Sequence, residues 1–141
     1  MRLWPVTFFP FMPNSQILSQ KRECDLIWKD IANGNKTNHI LINYIWEYEN
    51  YIEHLSMYYY KLEEEFKLRG FKFNFSPNMP DIFFYNKDFK IFPTHHTRLY
   101  ELCCYYNLTE KYIRGQKDFT ANMFNKLSEY IKCSKNAFLG S

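Results

Sequence analysis

Ile52, Leu55, Tyr59, Leu62 and Phe66 recur at intervals of three, four, three and four residues. A strand alternates its faces at every residue and cannot gather these five; an α-helix places them on one stripe. The spacing predicts a long amphipathic helix over about 50 to 69, its apolar face turned to a core. Lys67 and Arg69 complement the negative end of that helix, and Gly70 supplies the residue beyond it. A second helix is expected over about 15 to 32, capped by Asn14 or Ser15. Its inward face holds Ile17, Leu18, Cys24, Ile27, Trp28 and Ile31, and Asn33-Gly34 stops it. Later segments predict a helix from Thr94 to Tyr106, with Leu99, Leu102, Cys103 and Tyr106 inward. A last one follows Thr120 to about Lys132, with Met123 or Phe124, Leu127 and Ile131 inward. HILINYIW, near residues 39 to 46, fits a short strand or a helical turn equally well. Pro5, Pro10 and Pro13 predict an extended arm over residues 1 to 13, and Pro77, Pro80 and Pro93 punctuate an aromatic loop over 71 to 93. The expected fold class is all-α: a compact single domain over residues 1–141, with three to four main helices, long loops and an extended N-terminal arm.

At 141 residues the chain is long enough to bury a core without staples. Its 46% hydrophobic residues and net charge of +3 exclude a disordered or strongly basic protein. Aromatic residues reach 21%, a bias that base composition or function explains equally well. Cys24, Cys103, Cys104 and Cys133 form no C-x-x-C pair, so they read as reduced, mostly buried thiols. Neither they nor His95-His96 have the spacing of a metal site, and His39, His95 and His96 are assigned to core or surface roles. The opening MRLWPVTFFPFMP imitates a signal peptide, but its prolines break the apolar run and no small-residue cleavage site follows. No stretch approaches a membrane span. A soluble, cytoplasmic monomer is expected, and the Asn-x-Ser/Thr triplets at Asn35, Asn74 and Asn107 carry little meaning.

Charge is unevenly spread. Residues 47 to 65 hold six acids and one base, whereas 111 to 135 hold six bases, Lys111, Arg114 and Lys117 among them, and two acids. A basic side of this kind is compatible with phosphate contact. Phosphate-loop, dinucleotide, zinc-protease and nucleophile-elbow signatures are absent, and four glycines are few for a phosphate-cradling loop. Nucleotide hydrolysis and dinucleotide redox chemistry are therefore disfavoured, and no cofactor is expected.

One stretch stands apart. SQKRECDLIW places Arg22 beside Glu23, about 100° apart on a helix, so the pair is not the usual i,i+4 surface bridge. Together with the opening MRLW, the segment SQKRE resembles the pyrimidine-dimer DNA glycosylases, the endonuclease V-like enzymes of phage and bacteria. YYYKLEEEFKLRGFKF resembles the second long helix of that family, and RLYELCCYYNLTEKY resembles its bacterial relatives. The resemblance covers most of residues 1 to 75 and a patch near 95 to 112. It implies a bifunctional glycosylase and abasic-site lyase acting on double-stranded DNA, which bends the duplex and extrudes a base opposite the lesion. The family's nucleophile is the chain's own α-amine, which attacks the sugar C1′ to form a Schiff base. Carried over residue by residue, Met1 takes the nucleophile's position, Glu23 the acid/base role, and Arg2 and Arg22 the phosphate contacts.

The chemistry is sound on general grounds. An α-amine titrates near pKa 7.7–8.0, against about 10.4 for a lysine, so at neutral pH far more of it is free to attack a carbon. A neighbouring carboxylate can shuttle protons and stabilise the cationic imine. The sequence departs from the phage pattern in three places. Phage enzymes lose the initiator Met to expose Thr, whereas bulky Arg2 disfavours its removal here. Leu26 stands where a third basic residue is expected, with Lys29 one turn on, and Gln16 replaces an early helix histidine. Trp4, Phe8 and Phe9 suit either wedging into DNA or packing the arm on the core, the latter preferred. The alternatives are a non-catalytic nucleic-acid-binding domain using the basic 111 to 135 region, and a protein-interaction module using the aromatic loop.

Overall fold

A computed structural model describes residues 1–81 and 84–139, with side chains as far as residue 133. Ile82 and Phe83 of the aromatic loop and the Lys135 side chain of the basic region lie outside the described residues. The fold is all-α, and no strand occurs among the described residues. A 3-10 segment, Val6–Phe11, leads into α1 (Asn14–Ala32). A second 3-10 segment, Asn43–Glu47, leads into α2 (Tyr51–Leu68), and α3 (Arg98–Ile113) and α4 (Ala121–Leu139) follow. HILINYIW thus ends in a helical turn rather than a strand.

The apolar stripe of residues 52 to 66 lies on α2, with Leu55, Tyr59, Leu62 and Phe66 buried. Burial goes well beyond one stripe, because every residue from His54 to Tyr60 is buried. Two turns enclosed all round put this part of α2 at the centre of the fold, not on a flank. One side meets α1, where Trp28 and Tyr59 pack edge to face at 6.0 Å. Other sides are covered by the aromatic loop: Phe73 meets Tyr59 at 4.9 Å and Phe66 at 5.0 Å, and Phe75 meets Tyr60 at 5.8 Å. At the loop's end Phe92 is fully buried with φ 45, a conformation that bulky side chains rarely adopt. It is held there by its N–H donating to His54 Nδ1 at 2.9 Å and by stacking on the His54 ring. Much of the high aromatic content is therefore structural. Of this loop's large apolar side chains, Phe75 and Tyr85 stand out as exposed.

The N-terminal arm corrects an expectation. Residues 1–13 are not extended: Val6–Phe11 coils into a 3-10 segment that contains Pro10. Its two ends are tied by Phe8 N–H donating to Pro5 O and Met12 N–H donating to Phe9 O, and neither bond needs the N–H that Pro10 lacks. The prolines limit the helix without abolishing it. Leu3, Trp4, Phe8, Phe9 and Met12 are buried, making the arm part of the core. It is pinned by side chains to main-chain carbonyls. Arg69 Nη2 donates to Phe9 O at 2.7 Å, the Tyr58 hydroxyl to Trp4 O at 2.6 Å, and the Tyr100 hydroxyl to Leu3 O at 2.8 Å.

Three further expectations change. The start of α1 is capped not by Asn14 or Ser15 but from across the chain, by Asp118. Its carboxylate accepts the Ser15 N–H at 2.7 Å and the Ser15 hydroxyl at 2.9 Å. On α3 the inward face is rotated from the expected one. Cys104 and Leu108 are buried, whereas Leu99 (71%), Tyr106 (65%) and Cys103 are exposed. The run LYELCCYYNL contains several equivalent apolar stripes, and contacts with the arm and with Phe124 of α4 select one. Tyr112 stacks on Phe124 at 4.3 Å. The thiols are accordingly half exposed rather than mostly buried, Cys24 and Cys104 inside, Cys103 and Cys133 outside, and all four are unpaired. Thr120 Oγ1 caps α4, accepting from Met123 N–H. No helix among the described residues is long and apolar enough to cross a membrane.

Candidate active site

Ile17, Cys24 and Ile27 define the buried face of α1, and Gln20 falls on the same face at a spacing of three. A buried amide must find partners for its oxygen and its two N–H groups. Gln20, 1% exposed, finds them in the arm. Its Oε1 accepts the Trp4 N–H at 2.9 Å, and its Nε2 donates to Arg2 O at 2.9 Å and to Glu23 Oε2 at 3.1 Å. The Tyr58 hydroxyl lies 2.9 Å from Oε1. The same Glu23 oxygen receives the Arg2 N–H at 3.4 Å. One helical turn of α1 thus holds the chain's first residues against the Glu23 carboxylate. Among the described residues, Glu23 Oε1 accepts no hydrogen bond and no ion pair joins the Met1 amine to Glu23.

Met1 and Glu23 line one cavity of about 250 Å³. Its other walls are Arg2 and Trp4 of the arm, Gln16 of α1, Leu41 of the turn before α2, and Asn107 and Lys111 of α3. The Arg2 guanidinium sits 5.5 Å from the Trp4 ring and 6.0 Å from the Tyr100 ring, with Nη1 3.9 Å from Cys104 Sγ. Burial pushes the Cys104 thiol up to about 11 and raises Tyr100 as well, so both stay protonated beside the cation. The residues that carry an amine, a carboxylate and two cations thus line one space of about 250 Å³. Among the described residues no group of three His, Cys, Asp or Glu side chains is arranged to hold a metal ion.

The other sequence-derived candidates divide. Arg22 and Lys29 lie on the neighbouring face of α1 with Leu26, lining a larger groove of about 530 Å³ walled by residues 74 to 78. Arg22 is exposed, its Nη2 donating to Ser19 Oγ at 2.9 Å. The adjacent charges of α1 therefore serve two adjoining depressions, Glu23 the smaller and Arg22 the larger. Lys111 joins Met1 and Glu23, whereas Arg114 is paired with Glu110, and Arg114 and Lys117 line neither space. Gln16, at the position of the missing histidine, faces the cavity as a neutral amide. His95 and His96 lie away from it: His96 Nε2 is 2.6 Å from the Tyr44 hydroxyl, and His95 Nε2 is 2.9 Å from Glu47. Burial, with His95 and His54 nearby, pushes His96 down to about 3, so it stays neutral at ordinary pH.

The family model described as pyrimidine dimer DNA glycosylase matches residues 1–79, more than half of the chain. The chain belongs to the pyrimidine dimer DNA glycosylase family. A DNA-repair function of the glycosylase type, with DNA as substrate, comes with that membership. The matched span contains the arm, α1, the turn before α2 and α2 itself, hence Met1, Arg2, Arg22, Glu23 and Lys29. It stops short of α3, which carries Asn107 and Lys111, and of the 98 to 112 segment whose resemblance was noted above. No curated protein and no solved structure gives a significant match.

Sequence reasoning missed Gln20, Tyr58, Tyr100, Leu41 and Asn107 as parts of this candidate site. For Gln20 a signal existed, since a polar residue at the centre of an apolar helical stripe demands buried partners. Gln20→Ala is expected to destabilise the fold by about 1–3 kcal/mol, because it strands the buried Trp4 N–H. Urea unfolding checks this; an unchanged midpoint would show that the arm is held without the amide.

Proposed function

We propose that this glycosylase is bifunctional, removing the damaged base and then cleaving the strand through a Schiff base on the Met1 α-amine. The observation that carries the reading is the shared cavity of Met1 and Glu23, with the intervening backbone clamped by Gln20. The neutral amine attacks C1′ of the damaged nucleotide, and the C1′–N bond breaks with its electron pair leaving on the base. Glu23 takes the proton released by the attacking nitrogen and returns it to O4′ as the sugar ring opens to the imine. Loss of a C2′ proton then expels the 3′ phosphate by β-elimination, and water hydrolyses the imine to free the amine. Arg2 and Lys111 hold phosphates at the cavity, and Arg22 and Lys29 hold the flanking backbone in the larger groove. Arg114 and Lys117 add basic surface on the same chain, which acts as a single-domain monomer on double-stranded DNA.

The test is incision of duplexes carrying either one cyclobutane pyrimidine dimer or one abasic site. Cleavage of both is expected, leaving the unsaturated aldehyde end of β-elimination. Base release without strand cleavage would reduce the activity to a glycosylase alone. Salt-sensitive binding with neither reaction would favour the non-catalytic DNA-binding alternative.

A further inference from the structure

A sugar C1′ in duplex DNA is shielded by its own base and the neighbours stacked on it, so a nucleophile reaches it only if the stack is opened. Proteins that open a step commonly insert an apolar side chain. The arm cannot do so here, because Trp4, Phe8 and Phe9 are buried in the core. Of the exposed large apolar side chains, the one that lines the cavity is Leu41, at the tip of the turn before α2. Leu41, 38% exposed, forms part of the cavity wall, and Ile40, next to it, is 87% exposed.

A lone exposed isoleucine is ordinary. This one differs in its place and its support. Turn tips are usually built from Gly, Asn, Asp or Ser, yet here the tip is Ile-Leu and the polar residues stand beneath it, consumed in fixing the backbone. The N–H groups of Ile42 and Asn43 both donate to His39 O at 2.9 Å. His39 N–H donates to Asn43 Oδ1 at 2.8 Å, and Leu41 N–H to His39 Nδ1 at 3.2 Å. Ile42 and Ile45 are fully buried and root the turn in the core. The result is a hydrogen-bonded turn that presents Ile40 to solvent next to Leu41 of the cavity wall.

We propose that Ile40 is the residue that opens the duplex. With DNA seated over the cavity, its side chain enters the base stack beside the attacked nucleotide and fills the space left as C1′ moves toward Met1. Leu41 packs against the displaced sugar. This assignment rests on the Schiff-base reading for its place at the site, but the two fail in different ways. Ile40→Ser and Ile40→Met are compared with the unaltered protein on abasic duplex and on the same abasic strand left single, where there is no stack to open. Ile40→Ser is expected to slow duplex incision about tenfold, with less than about twofold change on the single strand, and Ile40→Met to retain the duplex rate within about twofold. Equal loss on both substrates, or no loss on duplex, overturns the assignment. A 2-aminopurine beside the abasic site gives a second readout independent of chemistry. Its fluorescence is expected to rise when the unaltered protein binds and not when Ile40→Ser binds. If the unaltered protein incises nothing, the Schiff-base reading fails, and this fluorescence difference alone decides for or against the wedge.

Discussion

An acetyl group on the Met1 amine is expected to abolish strand cleavage, lowering it by more than about a thousandfold, while DNA binding persists. Acetylation removes the nitrogen's nucleophilic electron pair and adds only a few atoms to a residue at the edge of a cavity. The arm's anchors do not involve that nitrogen: Arg2 and Trp4 are held through Gln20, and Leu3 through Tyr100. Loss of folding is therefore not expected, and an unchanged thermal midpoint would confirm it. A one-residue extension ahead of Met1 is a second form of the same experiment. It restores an amine but moves it by up to about 3.5 Å, and misplacement of even about 1 Å can cost a hundredfold. Cleavage that survives both changes would assign the chemistry to another group.

Glu23→Gln is expected to reduce cleavage by about 10²–10⁴-fold with little effect on lesion binding. The clamp explains why glutamine is the informative substitution. Glu23 Oε2 receives two donors, Gln20 Nε2 and the Arg2 N–H. A glutamine there keeps both by turning its carbonyl oxygen toward them, which leaves its NH₂ group on the cavity side. Shape and anchoring survive, but the group can no longer take a proton from the attacking amine. Glu23→Ala, in contrast, strands both donors and confounds chemistry with a misplaced arm. Full cleavage by Glu23→Gln would remove the carboxylate from the mechanism.

What was legible in the sequence follows from which signals are local. The α2 stripe, the α1 face and its Asn33-Gly34 stop depend on residues three or four apart, and they appear where the spacing puts them. The arm departs from its expected extended form because proline's effect on an α-helix does not carry over to a segment that coils as 3-10 between Pro5 and Pro13. The face of α3 is not legible locally because its apolar residues run nearly all round the helix, and long-range contacts with the arm and α4 choose among them. The site shows the same division. Glu23, Arg22 and Met1 came from short motifs, and the structure brings Met1 and Glu23 to one cavity. Gln20 and Asn107 lie inside quoted motifs, but their parts in the site, like that of Leu41, depend on contacts that only tertiary packing supplies. The aromatic loop, a candidate partner surface by composition, largely serves as the cover of α2.

The most direct measurement is borohydride reduction of the protein mixed with abasic-site duplex, followed by mass spectrometry of the trapped peptide. The expected result is a sugar adduct on the α-nitrogen of Met1. Lys111 shares the cavity and is the rival amine; an adduct there, or none with an unblocked Met1, would contradict the Schiff base at the chain's first atom.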